Sequence, residues 1–484
     1  HEATGLLLSK TYPDESRVDY AYDAHNRLSS TTLAREVSPG VRLKLTRAYA
    51  DLTGELVSLT SNDGAGETTP PSVNETYAYD FLGRLVSVTD AAGTRTFAYD
   101  AFGDPASETL SAGGKTHVVA ETRDAFGRFV GYVYSKNGAA QQTVSASYEA
   151  ATGRFAGAGF LHGSAQKTFS YSYLAGTSLP QTLTCPNGMT ETRAYEATRD
   201  LLAGIAYKRG TTLVSQRAYV HDALGRLTSR TLARGGATRT DAFGYDARSE
   251  LTSATLGNAA YAYAFDNVGN RSSATEAGTQ LAYTTNAQNQ YPTLTKTPAQ
   301  GQTQYFTPTY DADGNAELVW TETGIWVVSC DAKNRPASFR DVLTGTLVKC
   351  AYDCRGRRCA KKVSVAGTAT LHERYIYRDY LQIACVDLTR AAHPALWFVL
   401  WDPTQETATR PLALQKDGSW FTYGHDLTKN VWEVFRPSGY IRTSYDYAPF
   451  GAVTATGDVS QPFQWSSEFY DSELDLVYYN YRHY

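Results

Sequence analysis

Aromatic residues alternate with small or polar residues along many short stretches of this chain. Segments 77–79 (Tyr-Ala-Tyr), 171–173 (Tyr-Ser-Tyr) and 261–265 (Tyr-Ala-Tyr-Ala-Phe) are clear examples. A period of two places every second side chain on the same face of a β-strand. Each stretch is short and ends at residues that favour turns, as expected for strands in hairpins. We therefore predict an all-β protein.

One motif recurs where these strands end: an aromatic residue, Asp, two variable residues, Gly or Asn, Arg, and an apolar residue. Segment 79–85 shows it in full as Tyr-Asp-Phe-Leu-Gly-Arg-Leu, and Asp80, Asp100 and Asp124 are 20 and 24 residues apart. An Asp carboxylate accepts hydrogen bonds from backbone N–H groups two residues on, and Gly or Asn suits the positive-φ position of a hairpin turn. Each copy therefore predicts one hairpin whose open face must be covered by its neighbours. The predicted turn residues are Asp23, Asp80, Gly83, Arg84, Asp100, Gly103, Asp124, Gly127, Arg128, Asp222, Gly225, Arg226, Asp266, Gly269, Asp311, Gly314, Asp353 and Gly356.

Composition agrees with a β-protein and excludes several functional classes. The chain has 35 Tyr and 39 Gly against 1 Met, which favours pleated strands and frequent turns. Its formal charge of −4 argues against a basic nucleic-acid-binding face. It contains no apolar stretch long enough for a membrane-spanning helix and no recognised nucleotide-binding or hydrolase motif. We predict no catalytic residue, no cofactor and no metal site.

The motifs resemble YD repeats, also called Rhs repeats, which occur in bacterial Rhs proteins, the BC components of Tc toxins and animal teneurins. The C-terminal segments resemble the Rhs-associated core. We therefore divide the chain into a repeat array at 1–365 and a core at 366–484. The core residues that carry the resemblance are Trp401, Asp402, Pro403, His425, Asp426, Tyr445, Asp446, Pro449, Phe450, Gly451, Tyr478, Tyr479 and Arg482.

This resemblance implies a β-hairpin ribbon that spirals into a hollow shell, a β-cocoon, either closed or partly open. It implies a non-enzymatic scaffold that encapsulates or displays a C-terminal toxin or other variable polypeptide, with secretion-apparatus proteins as further partners. The aspartyl self-cleavage segment of many family members would lie after Tyr484, so we assign none of its residues here. We expect a secreted or cell-surface bacterial protein whose targeting signal is not in this sequence.

Several alternatives stay open at this point. The Tyr-rich surface suits a surface or wall-associated adhesion protein that binds glycans or another cell. A polysaccharide hydrolase is less favoured, because no carboxylate pair stands apart from the turn residues. Cys350, Cys354 and Cys359 are compatible with unpaired packing, with a Cys350–Cys359 cross-strand disulfide, or with a metal, and we favour unpaired packing. For His425 and Asp426 we favour a structural turn over acid–base chemistry.

Overall fold

The structure is a computed structural model that describes residues 1, 3–64, 71–404, 409–480 and 482–484. Within these residues it contains 42 β-strands and one short 3₁₀ turn at Trp465–Ser467. The all-β prediction is therefore confirmed. No helix in the described ranges is long and apolar enough to cross a membrane.

The first 26 strands form one sheet, in which each strand pairs antiparallel with the next along the chain. Its first half consists of β1 Ser9–Thr11, β2 Arg17–Tyr22, β3 Leu28–Ser38, β4 Val41–Tyr49, β5 Leu56–Ser61, β6 Asn74–Tyr79, β7 Leu85–Asp90, β8 Gly93–Tyr99, β9 Pro105–Ala112, β10 Lys115–Arg123, β11 Phe129–Lys136, β12 Ala139–Tyr148 and β13 Phe155–His162. Its second half consists of β14 Ala165–Tyr173, β15 Pro180–Thr184, β16 Met189–Tyr195, β17 Leu202–Arg209, β18 Thr212–His221, β19 Leu227–Arg234, β20 Ala237–Tyr245, β21 Leu251–Leu256, β22 Ala259–Phe265, β23 Arg271–Glu276, β24 Thr279–Thr284, β25 Thr293–Thr297 and β26 Gln304–Phe306.

A second sheet of 13 strands and a third of 3 strands complete the fold. The second sheet consists of β27 Leu318–Thr321, β28 Gly324–Cys330, β29 Pro336–Asp341, β30 Leu347–Tyr352, β31 Arg358–Val365, β32 Thr368–Arg378, β33 Leu381–Asp387, β34 Ala395–Trp401, β35 Pro411–Lys416, β36 Ser419–His425, β37 Val431–Phe435, β38 Ile441–Tyr447 and β39 Val453–Gly457. The third sheet consists of β40 Phe469–Asp471, β41 Leu476–Tyr479 and β42 Arg482–His483.

The turns separate onto two opposite rims of the large sheets. All turns with the Tyr-Asp motif lie on one rim, which we call the Tyr-Asp rim, because they follow the even-numbered strands. Shorter turns such as Gly113-Gly114 and Asn137-Gly138 occupy the other rim. Neither sheet closes on itself. Among the described strands, β1 pairs only with β2 and β26 only with β25, while β27 pairs only with β28 and β39 only with β38.

The core lies where the faces of the first and second sheets pack together. Aromatic contacts bridge the sheets, among them Tyr134 to Phe398, Phe160 to Trp420 and Tyr207 to Phe435, with ring centroids 6.2, 6.1 and 5.5 Å apart. The third sheet packs against the second, with Phe469 in edge contact with the ring of Tyr375 at 5.3 Å. The chain therefore forms layered β-sheets whose aromatic side chains are shared between layers.

Hydrogen bonding alone does not decide the predicted division into a repeat array and a core. Position 365/366 falls in the turn between β31 and β32, and the sheets change between β26 and β27. The division stays a prediction, since both sides of it share one sheet.

The alternative of a cross-strand disulfide is not realised. Cys350 faces Lys361 across β30 and β31, and all six cysteines are free. A bulge next to Tyr352 leaves Cys359 as the extra residue of β31, so it has no partner opposite it. Unpaired packing, the favoured reading, describes Cys350 and Cys359, which are both buried.

Candidate functional site

Each Tyr-Asp turn is closed by its aspartate. In the turn after β6, the Asp80 carboxylate accepts hydrogen bonds from the N–H groups of Leu82 and Arg84 at 2.9 and 3.0 Å, and from Nε of Arg84 at 2.7 Å. Gly83 donates its N–H to the Asp80 carbonyl and has a φ of 75°, which favours glycine. The carboxylate thus holds both the turn and the arginine that begins the next strand.

The same bonding recurs along the rim. The Asp side chain accepts from the N–H groups two and four residues on at Asp23, Asp100, Asp124, Asp222, Asp246, Asp266, Asp311, Asp331, Asp353 and Asp426. The predicted glycines Gly103, Gly127, Gly225, Gly269, Gly314 and Gly356 all have positive φ. Asn26, Ser249, Asn334 and Lys429 take the same conformation where glycine is replaced.

A second link joins many of the turns to the next one along the rim. The Arg84 guanidinium lies 4.6 Å from the centre of the Tyr99 ring, and the Tyr99 hydroxyl donates to the Leu85 carbonyl at 2.7 Å. The stacking recurs in the pairs Arg27–Tyr49, Arg128–Tyr148, Arg154–Tyr173, Arg226–Tyr245, Arg335–Tyr352 and Arg357–Tyr377. The hydroxyl bond recurs from Tyr49 to Leu28, Tyr148 to Phe129, Tyr173 to Phe155, Tyr245 to Leu227, Tyr352 to Pro336 and Tyr377 to Arg358. We call this contact the Arg-Tyr link.

The sequence pattern does not predict this link, because the alternation places the tyrosines on one face of a strand without showing which residue covers their rings. The available signal is the spacing: a tyrosine follows the residue after the motif arginine by 14 positions at Tyr99 and by 18 at Tyr245. That spacing is one hairpin in length, which brings the two residues side by side on the rim.

Among the core residues, Asp426 is a buried hydrogen-bonding centre. One carboxylate oxygen accepts from the N–H groups of Thr428 and Asn430, both at 2.9 Å. The other accepts from the Asn430 amide at 2.9 Å and the Trp432 indole at 2.8 Å. Burial holds the pKa of neighbouring His425 well below its ordinary value, so its ring is neutral at neutral pH. Both residues therefore belong to a structural turn in this geometry.

Trp432 and Glu433 connect the second sheet to the first. The guanidinium groups of Arg217 and Arg230 lie 4.8 and 4.7 Å from the Trp432 ring. The Glu433 carboxylate accepts hydrogen bonds from Arg217 at 2.5 Å and from the Ser215 hydroxyl at 2.9 Å. Arg217 and Glu433 are fully buried, so loss of either partner would leave an uncompensated charge inside the protein.

Tyr445 and Asp446 lie on β38 at the same contact between the sheets. Asp446 forms ion pairs with Arg234 and Arg239, which belong to the first sheet. The buried Tyr445 hydroxyl accepts from the side-chain amide of Gln461 at 3.1 Å. Both residues therefore fix β38 between its neighbours.

Residues 449–451 form the last turn on the Tyr-Asp rim of the second sheet. Phe450 makes an edge contact with Tyr263 of the first sheet, with ring centroids 4.6 Å apart. Gly451 has a φ of 101°, and a side chain there would come within 3.2 Å of Trp465. Pro449 is half-buried at the start of the turn.

Trp401 is the last residue of β34, and Asp402 and Pro403 follow it directly. The Trp401 indole donates to the Gln382 carbonyl at 2.8 Å, in the place that a tyrosine hydroxyl occupies in other repeats. The Asp402 carboxylate accepts from the N–H and hydroxyl groups of Thr404 at 2.9 and 2.7 Å. Pro403 lines a small crevice with Tyr132 of the first sheet.

The third sheet is fastened to the second by Asp471. Its carboxylate pairs with Arg358 and, at 3.1 Å, with Lys361, and all three side chains are buried. Burial alone would raise the pKa of Asp471, but Arg358 and Lys361 hold it well below its usual range. The Tyr478 ring lies 4.1 Å from the Arg358 guanidinium, and its hydroxyl accepts the Arg358 N–H at 3.1 Å. Tyr479 makes an edge contact with Tyr484 at 6.1 Å, and Arg482 lies on the short β42.

A cleft of about 830 Å³ lies between this C-terminal segment and the second sheet. Charged and aromatic side chains line it together, including Lys361, Glu373, Glu473, Trp397 and Tyr445. Burial raises the pKa of Glu373 above its usual value. The mixed lining suits polar and apolar groups alike, as a segment of polypeptide presents them.

The described residues contain no group of three or more His, Cys, Asp or Glu side chains arranged to hold a metal ion. The carboxylates of the predicted residues are engaged in turns and in contacts between sheets. In this geometry the residues singled out in the sequence close turns and join strands and sheets.

Comparisons with known proteins agree on the repeat and the fold. The family model described as RHS Repeat matches residues 1–37 and 79–116. No curated protein sequence matches the chain.

Among solved structures, the crystal structure of TcdB2-TccC3 superimposes with a TM-score of 0.74 at 16% identity, covering 99% of this chain and 27% of that one. A Photorhabdus luminescens Tc holotoxin pore gives a TM-score of 0.74 at 16% identity, covering 99% and 26%. TcdB2-TccC3 without its hypervariable C-terminal region gives 0.73 at 16% identity, again covering 99% and 26%. The chain thus spans about a quarter of the length of the structures it matches, and at this identity the likeness establishes the fold.

Removing one hydroxyl tests the Arg-Tyr link. We expect Tyr99→Phe to lower the free energy of unfolding by about 0.5–1.5 kcal/mol, because the bond to the Leu85 carbonyl is lost. Urea denaturation followed by tryptophan fluorescence measures this change. The control is Tyr305→Phe, at an exposed tyrosine, which should leave stability unchanged. Equal effects of both substitutions would contradict a role for the hydroxyl.

The turn aspartates predict a loss of stability in acid. The Arg128 side chain and backbone N–H groups hold the pKa of Asp124 below its ordinary value of 3.8. A carboxyl group with a lowered folded-state pKa stabilises the fold above its unfolded pKa and ceases to do so as the pH falls through the folded-state pKa. The difference in Tm between wild type and Asp124→Asn should therefore be largest at neutral pH and shrink below about pH 4. A Tm difference that stays constant from neutral pH to acid would refute a stabilising role for the ionised Asp124 carboxylate.

Loss of the buried Asp471 carboxylate should lower the free energy of unfolding far more than loss of a surface carboxylate. We expect Asp471→Asn to cost about 3–5 kcal/mol, because Arg358 loses its charge partner inside the protein. Hydrogen exchange should show residues 463–484 opening first. Asp458→Asn is the matched control, since Asp458 pairs with Arg442 at the surface and should change stability by less than about 1 kcal/mol. Unchanged exchange of residues 463–484 in Asp471→Asn would rule out the anchoring role.

Proposed function

We propose that this chain, an RHS-repeat protein by its matched segments and its fold, forms part of the wall of a shell that encloses or displays a polypeptide. In this proposal the protein is a scaffold without catalytic activity. Its partner is a C-terminal toxin or other variable polypeptide, delivered with the help of secretion-apparatus proteins. The protein acts outside the cytoplasm, secreted or at the bacterial surface.

The observation that carries the proposal is the correspondence of nearly the whole chain with TcdB2-TccC3, a complex that has a hypervariable C-terminal region. The repeat chemistry supports a wall. Aspartates close turns, and arginines and tyrosines join one turn to the next, so the abundant polar side chains are used within the sheet. Such a ribbon can extend indefinitely with each hairpin contacting mainly its neighbours.

The cleft beside the C-terminal segment supports the enclosure of a polypeptide. Residues 469–473 form one side of it, and Tyr484 is held by two backbone hydrogen bonds with Val477. A polypeptide attached after Tyr484 would leave from the third sheet, whose first strand β40 borders this cleft.

Adhesion through the Tyr-rich surface is less well supported. The ring of a repeat tyrosine such as Tyr99 is stacked on a guanidinium group, and its hydroxyl is hydrogen-bonded. A sugar would have to displace these contacts in order to stack on the ring.

Protection of an attached peptide tests the proposal. An unstructured reporter peptide would be fused after Tyr484, and the same reporter would be fused before His1 as the matched control. We expect protease to cleave the C-terminal reporter at least about tenfold more slowly, because cleavage of a sheltered segment follows the population of its opened state. Asp471→Asn should restore fast cleavage by releasing the third sheet. Equal cleavage rates of the two fusions would count decisively against enclosure.

A further inference from the structure

Cationic side chains from the first and second sheets meet at one place on the rim opposite the Tyr-Asp rim. They come from β10, the end of β11, β32 and the turn between β33 and β34. The Lys136 ammonium donates to the Ala392 and His393 carbonyls at 3.0 and 2.7 Å. From the other side, Arg374 Nη1 donates to the Ala112 carbonyl at 3.2 Å. We call this place the cationic seam, and it consists of Lys115, His117, Lys136, Arg374 and His393.

Elsewhere, polar contacts between these two sheets pair a cation with a carboxylate. Arg217 pairs with Glu433 in this way, and Lys333 pairs with Glu75. Within the described residues, the two lysines and the arginine of the cationic seam form no ion pair, and those that are bonded reach only carbonyl oxygens. Positive charge therefore accumulates in the seam without a counter-charge from the described side chains.

The environment of the seam opposes the charged forms of its own side chains. Burial, reinforced by neighbouring cations, lowers the pKa of His117 to about 4 and also lowers that of His393. Burial likewise lowers the pKa of Arg374. Asp387 is the carboxylate that acts on His393, and it is already paired with Arg390 at 3.4 Å. The seam is thus an electropositive place to which a negative charge would be attracted.

Polar groups in the seam are available to such a charge. His117 is 1% exposed, and its Nδ1 lies 2.9 Å from the Tyr134 hydroxyl, while its Nε2 has no partner among the described residues. Nδ1 of His393 also has none there. Arg374 is half-buried and is bonded through Nη1 alone, so its other N–H groups can donate to a ligand that enters from solvent. An unpartnered buried donor costs free energy that a bound acceptor would recover.

The arrangement suits a compact anion that carries several oxygens. A guanidinium group donates to two oxygens of a phosphate or sulfate at once, and a lysine ammonium adds a concentrated charge. Lys115 and Lys136 belong to the first sheet and Arg374 to the second, so one anion among them would contact both sheets. A divalent oxyanion also offsets more of the three permanent charges than a single carboxylate does.

We propose that the cationic seam binds a free inorganic oxyanion of the phosphate or sulfate type, which fastens the second sheet to the first along this rim. The inference goes beyond the shell-wall proposal and does not depend on it, because it concerns only the contact between the two sheets.

Equilibrium dialysis of the chain from 1 to 484 against radiolabelled inorganic phosphate tests the site. In about 0.1 M NaCl, where exposed charges are largely screened, we expect saturable binding of about one phosphate per chain, with sulfate as a competitor. Arg374→Gln should raise the dissociation constant at least about tenfold, because it removes charge-assisted hydrogen bonds. Lys115→Gln should raise it about threefold, as loss of a half-buried charge does.

The matched control is Lys208→Gln. Lys208 is an exposed lysine near the end of β17, on the same rim but outside the seam, and its substitution should leave phosphate binding unchanged. Hydrogen exchange locates the ion: phosphate should slow exchange in segments 112–116 and 388–394 of the wild type, and not in Arg374→Gln. Lys115 makes no hydrogen bond or ion pair with the described residues, so Lys115→Gln should keep the wild-type Tm and decides the matter alone if Arg374→Gln does not fold.

Four results would overturn the proposal. The first is the absence of saturable phosphate binding at up to about 10 mM, beyond which association is non-specific. The second is weakening by Lys208→Gln equal to that by Lys115→Gln. The third is full binding by both seam variants. The fourth is retention of polyphosphate by a wild-type protein that does not bind free phosphate, which would identify a surface for an anionic polymer.

Discussion

The fold depends on a guanidinium group held between two repeats. Each motif arginine is bonded on one side to the aspartate of its own turn and covered on the other by the tyrosine of the next turn. The charge is thus paired while its planar face is packed against an aromatic ring, an arrangement that suits arginine and not lysine. A single hairpin can supply only half of this environment. Stability therefore arises between neighbours, and the sheet forms as a continuous array.

The two large sheets meet through a different kind of interaction. Along their contact, aromatic rings interdigitate, and fully buried ion pairs such as Arg217–Glu433 are set among them. Burying a charge pair adds little net stability compared with apolar packing, but an unmatched charge there is costly. A shifted pairing of the sheets would leave Arg217 and Glu433 unpaired. The buried ion pairs therefore specify the alignment of the two sheets more strictly than a purely apolar contact would.

The parts of the fold that were predictable are those with local causes. The Asp80 turn uses bonds to residues two and four positions on, so its pattern is visible in seven consecutive letters. The Arg84–Tyr99 contact needs knowledge of how long the intervening hairpin is. Asp471 and Arg358, which anchor the third sheet, are more than a hundred positions apart, and no periodicity in the sequence links them. The Cys350–Cys359 alternative failed because the register places Cys350 opposite Lys361, while Cys359 lies in the bulge of β31 with no residue opposite it.

That bulge is one instance of an asymmetry in the whole ribbon. An unpaired residue recurs beside the Tyr-Asp turns, for example after β6, β8 and β10, and is much less frequent at the opposite turns. Each bulge adds twist and bends its strand locally. Because the extra residues lie mainly on the Tyr-Asp rim, the strands are longer at that rim than at the opposite one. This difference in length favours a curved sheet. Each hairpin thus contributes a similar increment of curvature. Adding or deleting hairpins would therefore change the total bend of the sheet without any change to the individual hairpin.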